Sequence, residues 1–500
     1  MSAALEVIGG IAGTAAASAA LLSGDRRLRA AAMFAGLALA AALVLGHAWD
    51  HQLTHVRERP PELVAIVIAL AGGLGLLAAA FIRWPLLLPL ALIAVLPFRI
   101  PVDTGSETSY LLIPLYLVIG AGVLAEAAAL FRGDAREIGA PRGVARWLSI
   151  ALAASIVLYA LQATYSSDVS RAGQNIAFFL IPFAVMFALL REVEWDSRLL
   201  RYALFVVAGE SLILALTGIV QHEAGHIFWN SKTMESNEFD LNFRVNSLFW
   251  DPNIYARYLA LALVLIVGAL LWVRDMRRFA LGTLAVAVIF TGMAFAFSQT
   301  SYFALLAGVV VLCALRWSLK WTAIGCAAAV LVAAIALVAG AGNSVEVKSG
   351  KGNTTDQTTS GRSRLASGGL KLAKARPLGG FGSGSFAVEF AKRNPLTNNE
   401  AAVSHTEPVT VAAEQGAVGV LVYLGLLLAS ALLLLAGLRE LAPGLGGRAP
   451  PEPTVVAARI AIAAAFAGLV VHSIGYAGFL TDPLTWALLA VGSALATLRP

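Results

Sequence analysis

"SHTEPVTVAAEQGAVGVLVYLGLLLASALLLL", residues 404–435, passes within a few positions from a polar turn carrying His405 to an apolar run. A helix needs about 20 apolar residues to cross a bilayer, and the run counted from 408 to 438 is long enough. Pro408 suits the first turn of that helix, with Thr406 or Glu407 near its cap. The stretch therefore reads as the junction between a loop and a membrane helix. Upstream lies the longest polar segment of the chain, 341–407, in which nine Lys and Arg oppose five acids, a net of +4. A cationic, glycine-rich platform beside a bilayer suits a substrate that carries phosphate.

Working outward, the whole composition agrees. The 500 residues are 59% hydrophobic and only 13% charged, with a mean hydropathy of +0.78, against roughly 25% charged residues in soluble domains. The chain is an integral membrane protein. Its net charge of +6 is the ordinary excess of Arg at helix ends rather than a nucleic-acid footprint. Cys313 and Cys326 both fall in apolar spans and read as small packing residues. The N-terminus has Glu6 and no Lys or Arg before its first apolar stretch, so a retained span is expected there rather than a signal peptide.

On the 20-residue ruler, 15 spans are expected, near 3–23, 30–48, 62–82, 85–98, 109–131, 147–164, 174–190, 202–220, 254–273, 279–297, 301–315, 321–340, 408–438, 456–474 and 484–498. The expected fold is all-α: a polytopic transmembrane bundle of about 12–15 spans, with a large extracytoplasmic loop holding short amphipathic helices. Strands of a β-barrel, about 10 residues with a period of two, do not fit. Five regions follow: membrane helices over 1–220, a first outer loop at 221–253, central helices over 254–340, a large catalytic loop at 341–407, and C-terminal helices over 408–500. Alternate short loops hold clusters such as Arg26, Arg27 and Arg29, or Arg274, Arg277 and Arg278, and are placed inside. The intervening loops hold only Arg57, Arg59, Arg99 and Arg171, so both long polar segments face outward together.

Within the large loop, residues 348–362 read as a flexible flap. The following segment interleaves Leu365, Leu370 and Leu372 with Arg364, Lys371 and Lys374. It reads as an amphipathic helix on the membrane surface that Pro377 ends. In "GGFGSGSF" (379–386), Gly382 and Gly384 offer a backbone that could present N–H groups to phosphate, although glycines mark turns more often. The first outer loop ends "NFRVNSLFWDPNIYARYLALAL" (242–263), which gathers Arg244, Asn246, Asp251, Asn253 and Arg257 at the mouth of a span. Asp251 as a cap and Arg257 as a snorkelling side chain are the plainer roles. Glu414 lies nine residues past His405 in an apolar helix, where an acid is a functional candidate by default and Gly416 and Gly419 suggest close packing instead. No phosphate loop and no zinc signature occurs, and Glu238-Phe239-Asp240 is a poor metal motif, so neither metal nor cofactor is expected.

Taken together, "RVNSLFWDPNIYA" (244–256), "SQTSYFALLAG" (298–308), "SGRSRLASGGLKLAKARPLGGFGSGSF" (360–386) and "SHTEPVTVAAEQGAVG" (404–419) resemble the O-antigen ligase and polymerase superfamily of bacterial membrane proteins. The resemblance implies a metal-independent glycosyltransferase in the cytoplasmic membrane, active at its outer, periplasmic face. It implies a donor glycan on undecaprenyl diphosphate and a glycan, lipid or protein acceptor. It also implies roles for Arg244, Arg362 and His405, with Glu414 as the acid that follows the His. Where many members read Ser-Arg this chain has Ser298-Gln299, which leaves Arg257, Arg364 or Lys371 to replace one phosphate contact.

The chemistry is consistent with that implication. A lipid diphosphate leaves as an anion that guanidinium groups stabilise, and an acceptor hydroxyl is helped by a base such as His405, unless His405 binds phosphate instead. Ligase and polymerase share this chemistry and stay unseparated. A lipid or solute transporter is the competing class, and it would place charges at mid-membrane, where only Glu126, Glu210 and His472 fall. A non-catalytic scaffold in a polysaccharide assembly is the third reading.

Overall fold

The computed structural model describes residues 2–48, 60–103, 108–133, 139–228, 233–235, 237, 242–317, 319–328, 362–394, 404–438 and 453–497. The chain is a polytopic all-α bundle, and among the described residues 12 helical stretches are long and apolar enough to cross a membrane. In chain order the helices are α1 (Ala3–Leu22), α2 (Arg26–Ala48), α3 (Pro60–Arg83), α4 (Leu87–Ala94), α5 (Ile113–Phe131), α6 (Gly143–Gln162), α7 (Val169–Asn175), α8 (Ile181–Arg191) and α9 (Ser197–Ala224). They continue with α10 (Pro252–Leu270), α11 (Met276–Ala294), α12 (Gln299–Arg316), α13 (Arg362–Ala375), α14 (Phe386–Arg393), α15 (Glu407–Leu435), α16 (Pro453–Gly475) and α17 (Pro483–Thr497). A π-helical turn, Ile176–Leu180, joins α7 to α8, so the two cross as one span, Val169–Arg191.

One of the expected spans is shorter than anticipated, and another is as short as its apolar run. The run at 85–98 yields only α4, eight residues or about 12 Å of helix. Pro97 and Pro101 prevent its continuation. The chain turns instead into a small antiparallel hairpin, β1 (Ile100–Asp103) on β2 (Thr108–Leu111), which pairs Ile100 with Leu111 and Asp103 with Thr108. The run at 484–498 forms α17, 15 residues or about 22 Å. The flap expected at 348–362 lies outside the described residues except for Arg362, as do most of 321–340 and Glu238-Phe239-Asp240.

Helices that are apolar all round sit at the centre. Every residue of α8 from Ile181 to Leu190 is buried, as is every residue of α10 from Pro252 to Val264, and Phe187 packs edge-on against Trp486 of α17. Small residues set the closest approaches: a Cβ on Gly268 of α10 would lie 2.7 Å from that of Ala461 on α16. At one end of the bundle two arginines of α2 are paired, Arg26 with Glu126 at 2.7 Å and Arg29 with Glu192 at 2.7 Å. Glu210 accepts from the Tyr258 hydroxyl at 2.8 Å. The opposite end is where the polar segments meet.

Candidate active site at the polar end of the bundle

The turn that starts α15 is built around a strained histidine. His405 has φ of 58°, a left-handed conformation that costs a non-glycine residue of order 1–3 kcal/mol. The buried Ser404 hydroxyl holds the turn: it donates to the Thr406 carbonyl at 2.8 Å, accepts from the Thr406 N–H at 3.1 Å and meets the Thr410 hydroxyl at 2.9 Å. Pro408 occupies the first turn of α15. Beside it, Glu407 accepts the Gly478 N–H at 2.6 Å, which ties the 476–482 loop to the same corner.

Farther along, α15 is broken at Gly416, whose φ of 64° interrupts the helix. The break exposes main-chain groups that the glycine-rich loop binds almost as a strand would. Phe381 N–H donates to Ala413 O at 3.2 Å, Gly382 N–H to Glu414 O at 2.8 Å, and Ala417 N–H to Pro377 O at 2.7 Å. The Glu414 carboxylate finishes the join by accepting from Gly384 N–H at 2.9 Å and Phe386 N–H at 3.1 Å. The N–H groups of Gly382 and Gly384, expected to face phosphate, are thus already bonded to Glu414. Glu414 in turn fastens the loop. The reason is steric: a Cβ on Gly416 or Gly380 would collide with the facing main chain, so these glycines serve close approach.

The platform is anchored a second time, on the α6–α7 turn. Tyr165 donates to Gly379 O at 2.7 Å, Ser166 to Ser383 O at 2.7 Å, and Ser167 to the Glu389 carboxylate at 2.7 Å. Glu389 also receives Lys392 at 2.7 Å and Arg393 at 2.6 Å. Burial alone would raise the Glu389 pKa, but these hydrogen bonds bring it down to about 2. Leu372, Phe381, Phe386, Phe390 and Ala413 form a small apolar core beneath.

On the other flank, Asp251 caps α10 by accepting Asn253 N–H at 2.6 Å. Arg257 does more than snorkel: it pairs with Asp482 at 2.7 Å, the two side chains being 4% and 5% exposed. Its guanidinium also lies 5.8 Å from the centre of the Tyr476 ring. The rings of His405 and His472 each stand 5.8 Å from that same tyrosine. Behind this group runs a polar chain. Arg244 donates to Asn253 Oδ1 at 3.2 Å, the Ser298 hydroxyl donates to the same oxygen at 2.9 Å, and Ser298 leads through Thr300 to His472 Nε2, each step 3.2 Å.

These parts enclose a cavity of about 280 Å³. Its polar lining includes Arg99, Arg171, Arg257, His405, Glu407 and Tyr476, while Phe179, Leu180, Ile254, Val411 and Val422 make it apolar toward the bundle. Arg99 lies 5.8 Å from the Trp250 ring centre. Burial lowers its pKa, and the carboxylate of Asp482 partly offsets this. Among the described residues no group of three or more His, Cys, Asp or Glu side chains could hold a metal ion.

Of the residues expected at the site, His405, Arg257, Glu414 and Gly384 line the cavity. Arg244 and Asn253 stand behind the lining, in the polar chain to His472. Arg364 and Lys371 are exposed on α13. Arg362 opens α13, and its side chain lies outside the described residues. Arg99 and Arg171 were not singled out by motif. Their signal was topological: both are arginines in loops expected to face outward, which otherwise carry few.

No curated protein matches the chain. Residues 284–424, from within α11 to within α15, match the family model described as O-Antigen ligase, in support of the O-antigen ligase superfamily and of a multi-pass membrane enzyme that transfers glycan.

Proposed function

We propose that the protein transfers a glycan from an undecaprenyl-diphosphate carrier to an acceptor hydroxyl at the outer face of the cytoplasmic membrane, without a metal ion. The observation that carries this reading is the shared cavity, in which His405, held in a left-handed turn, opens onto the same space as three guanidinium groups. The polar rim suits a diphosphate and the apolar inner wall suits the first isoprene units. In the reaction the acceptor oxygen bonds to the anomeric carbon as the bond from that carbon to the diphosphate oxygen breaks. His405 takes the hydroxyl proton, and the diphosphate departs as an anion whose charge the guanidinium groups stabilise. One direct displacement inverts the anomeric configuration.

The polar groups within spans give the transporter class little support. Glu126 is paired with Arg26, Glu210 with Tyr258 and His472 with Thr300. The test uses the full chain in liposomes with a labelled undecaprenyl-diphosphate oligosaccharide and a panel of lipid, protein and oligosaccharide acceptors. Release of the carrier diphosphate is expected, with an inverted product, and the acceptor that works separates ligase from polymerase. Donor left intact with every acceptor but moved across the bilayer would establish transport instead.

A further inference from the structure

Besides its cationic rim and its apolar side, the cavity has a corner of uncharged polar groups. Most polar atoms of the lining are already occupied. Glu407 accepts from the Gly478 N–H and Glu414 from those of Gly384 and Phe386, while Ser155 donates to the Ala151 carbonyl at 2.8 Å and the Thr410 hydroxyl meets that of Ser404. Three lining side chains differ. Gln162 bonds the main-chain carbonyl of Gln415 at 3.1 Å, but the Gln415 carboxamide has no hydrogen-bond partner among the described residues. Tyr159 accepts from the Asn175 amide at 2.7 Å, and among the described residues neither the Tyr159 O–H nor the Asn175 side-chain oxygen has a further partner.

Three helices bring these groups to one place. Ser155, Tyr159 and Gln162 recur at four- and three-residue spacing on the face of α6 that packs on α15. Asn175 lies about one turn after Arg171 and one turn before Phe179, and all three line the cavity, so Asn175 stands between the cationic rim and the apolar wall. On α15 the break at Gly416 follows Gln415 directly, and a Cβ on Gly419 would lie 2.7 Å from Gln415 Oε1. Glycine at 419 therefore leaves room for that carboxamide.

Unpaired polar groups in a partly enclosed cavity cost free energy that a ligand of matching chemistry restores. Their mixture decides which ligand that is. The Gln415 N–H groups and the Tyr159 O–H donate, whereas the side-chain oxygens of Gln415 and Asn175 accept. A phosphate only accepts and leaves both oxygens unmet; an alkyl chain meets none of the groups. A ring of hydroxyls, each able to donate and to accept, satisfies all of them. We propose that Tyr159, Asn175 and Gln415 form a sugar subsite, which holds the ring attached to the diphosphate and selects among donors by the hydroxyl or acetamido groups of that ring. The assignment rests on the proposed transfer from a lipid diphosphate, but binding reads it separately from transfer.

The experiment measures binding to the full chain in phosphatidylcholine nanodiscs of bare undecaprenyl diphosphate and of the same carrier bearing one glucose, galactose, N-acetylglucosamine or N-acetylgalactosamine. The wild type should bind at least one glycosylated carrier about 10-fold more tightly than the bare one. Tyr159→Phe and Gln415→Leu should each take about 3- to 10-fold from that preferred carrier, the scale of one neutral hydrogen bond, and leave the bare carrier as it was. A carboxamide with a structural role would lose stability on replacement, whereas Gln415→Leu removes an unpaired polar group and should melt at or above the wild-type temperature. If no sugar tightens binding to the wild type, or if both variants keep the wild-type preference while carrier is still released in transfer, the subsite is overturned and the transfer reading stands. If the variants lose the preference but no acceptor is ever glycosylated, the subsite stands and transfer falls. Variants that bind every carrier like the wild type and raise only the KM for acceptor would put the acceptor ring in this corner and overturn the donor assignment. A wild type that binds no carrier, bare or glycosylated, would remove both readings.

Discussion

His405 combines two properties that substitution can separate. Its left-handed backbone suits Asn nearly as well as His, so His405→Asn should keep the turn made by Ser404 and Thr410 while removing the base. The expected outcome is an unchanged melting temperature with release of the carrier diphosphate slowed by about 100-fold or more; His405→Ala should lose stability as well. A His405→Asn protein that still releases carrier at the wild-type rate would remove His405 from the chemistry. Arg257 and Asp482 behave as a unit. Asp482→Ala leaves a buried guanidinium without its partner and should cost about 3–5 kcal/mol, whereas Arg257→Met with Asp482→Leu should regain most of it. Thermal unfolding in detergent distinguishes the two outcomes.

At the scale of elements, the decisive contact joins α15 to the glycine-rich loop. Glu414→Gln exchanges one carboxylate oxygen for an amide that faces a main-chain N–H, donor against donor, at a cost of about 1–3 kcal/mol. Amide hydrogen exchange at Gly384 and Phe386 should accelerate in that variant, and the loop should become a protease site. The second anchor adds a pH dependence. The Glu389 pKa stands at about 2 in the folded protein, below the ordinary carboxylate value of 4.5. Its stabilisation is therefore complete above about pH 4.5 and drains away as the pH falls toward 2. Acid release of α14 from Ser167, followed by limited proteolysis, should vanish in Glu389→Gln. None of this docking was legible in the one-dimensional pattern. An acid in an apolar helix reads as a functional group, and a glycine cluster reads as a phosphate nest. Only the folding back of 377–386 onto α15 shows that the two satisfy each other.

At the scale of the whole molecule, the spans were readable because the bilayer imposes a minimum length on every crossing, and run length alone reports it. It failed at 85–98, where prolines cut an apolar run into a short helix and a hairpin. The candidate site was half readable. His405 and Arg257 sit at helix mouths marked by Pro408 and Pro252, whereas Arg99 and Arg171 reach the cavity through packing between helices distant in sequence, which spacing does not encode. Orientation has a direct check. In a chain with Cys313 and Cys326 replaced by Ser, Leu378→Cys should react with an impermeant thiol reagent in spheroplasts, and Arg274→Cys only after lysis. The reverse pattern would put the cavity on the wrong leaflet.

The enclosure has a consequence for what the protein is able to sense. On the proposed transfer, about 280 Å³ accommodates the reacting sugar and its phosphates but not an extended saccharide. A glycan beyond its first ring or two then extends outside this cavity. A cavity of this size is no yardstick for a chain: on the proposed transfer it measures only the sugars next to the diphosphate, and short and long donors should bind it alike.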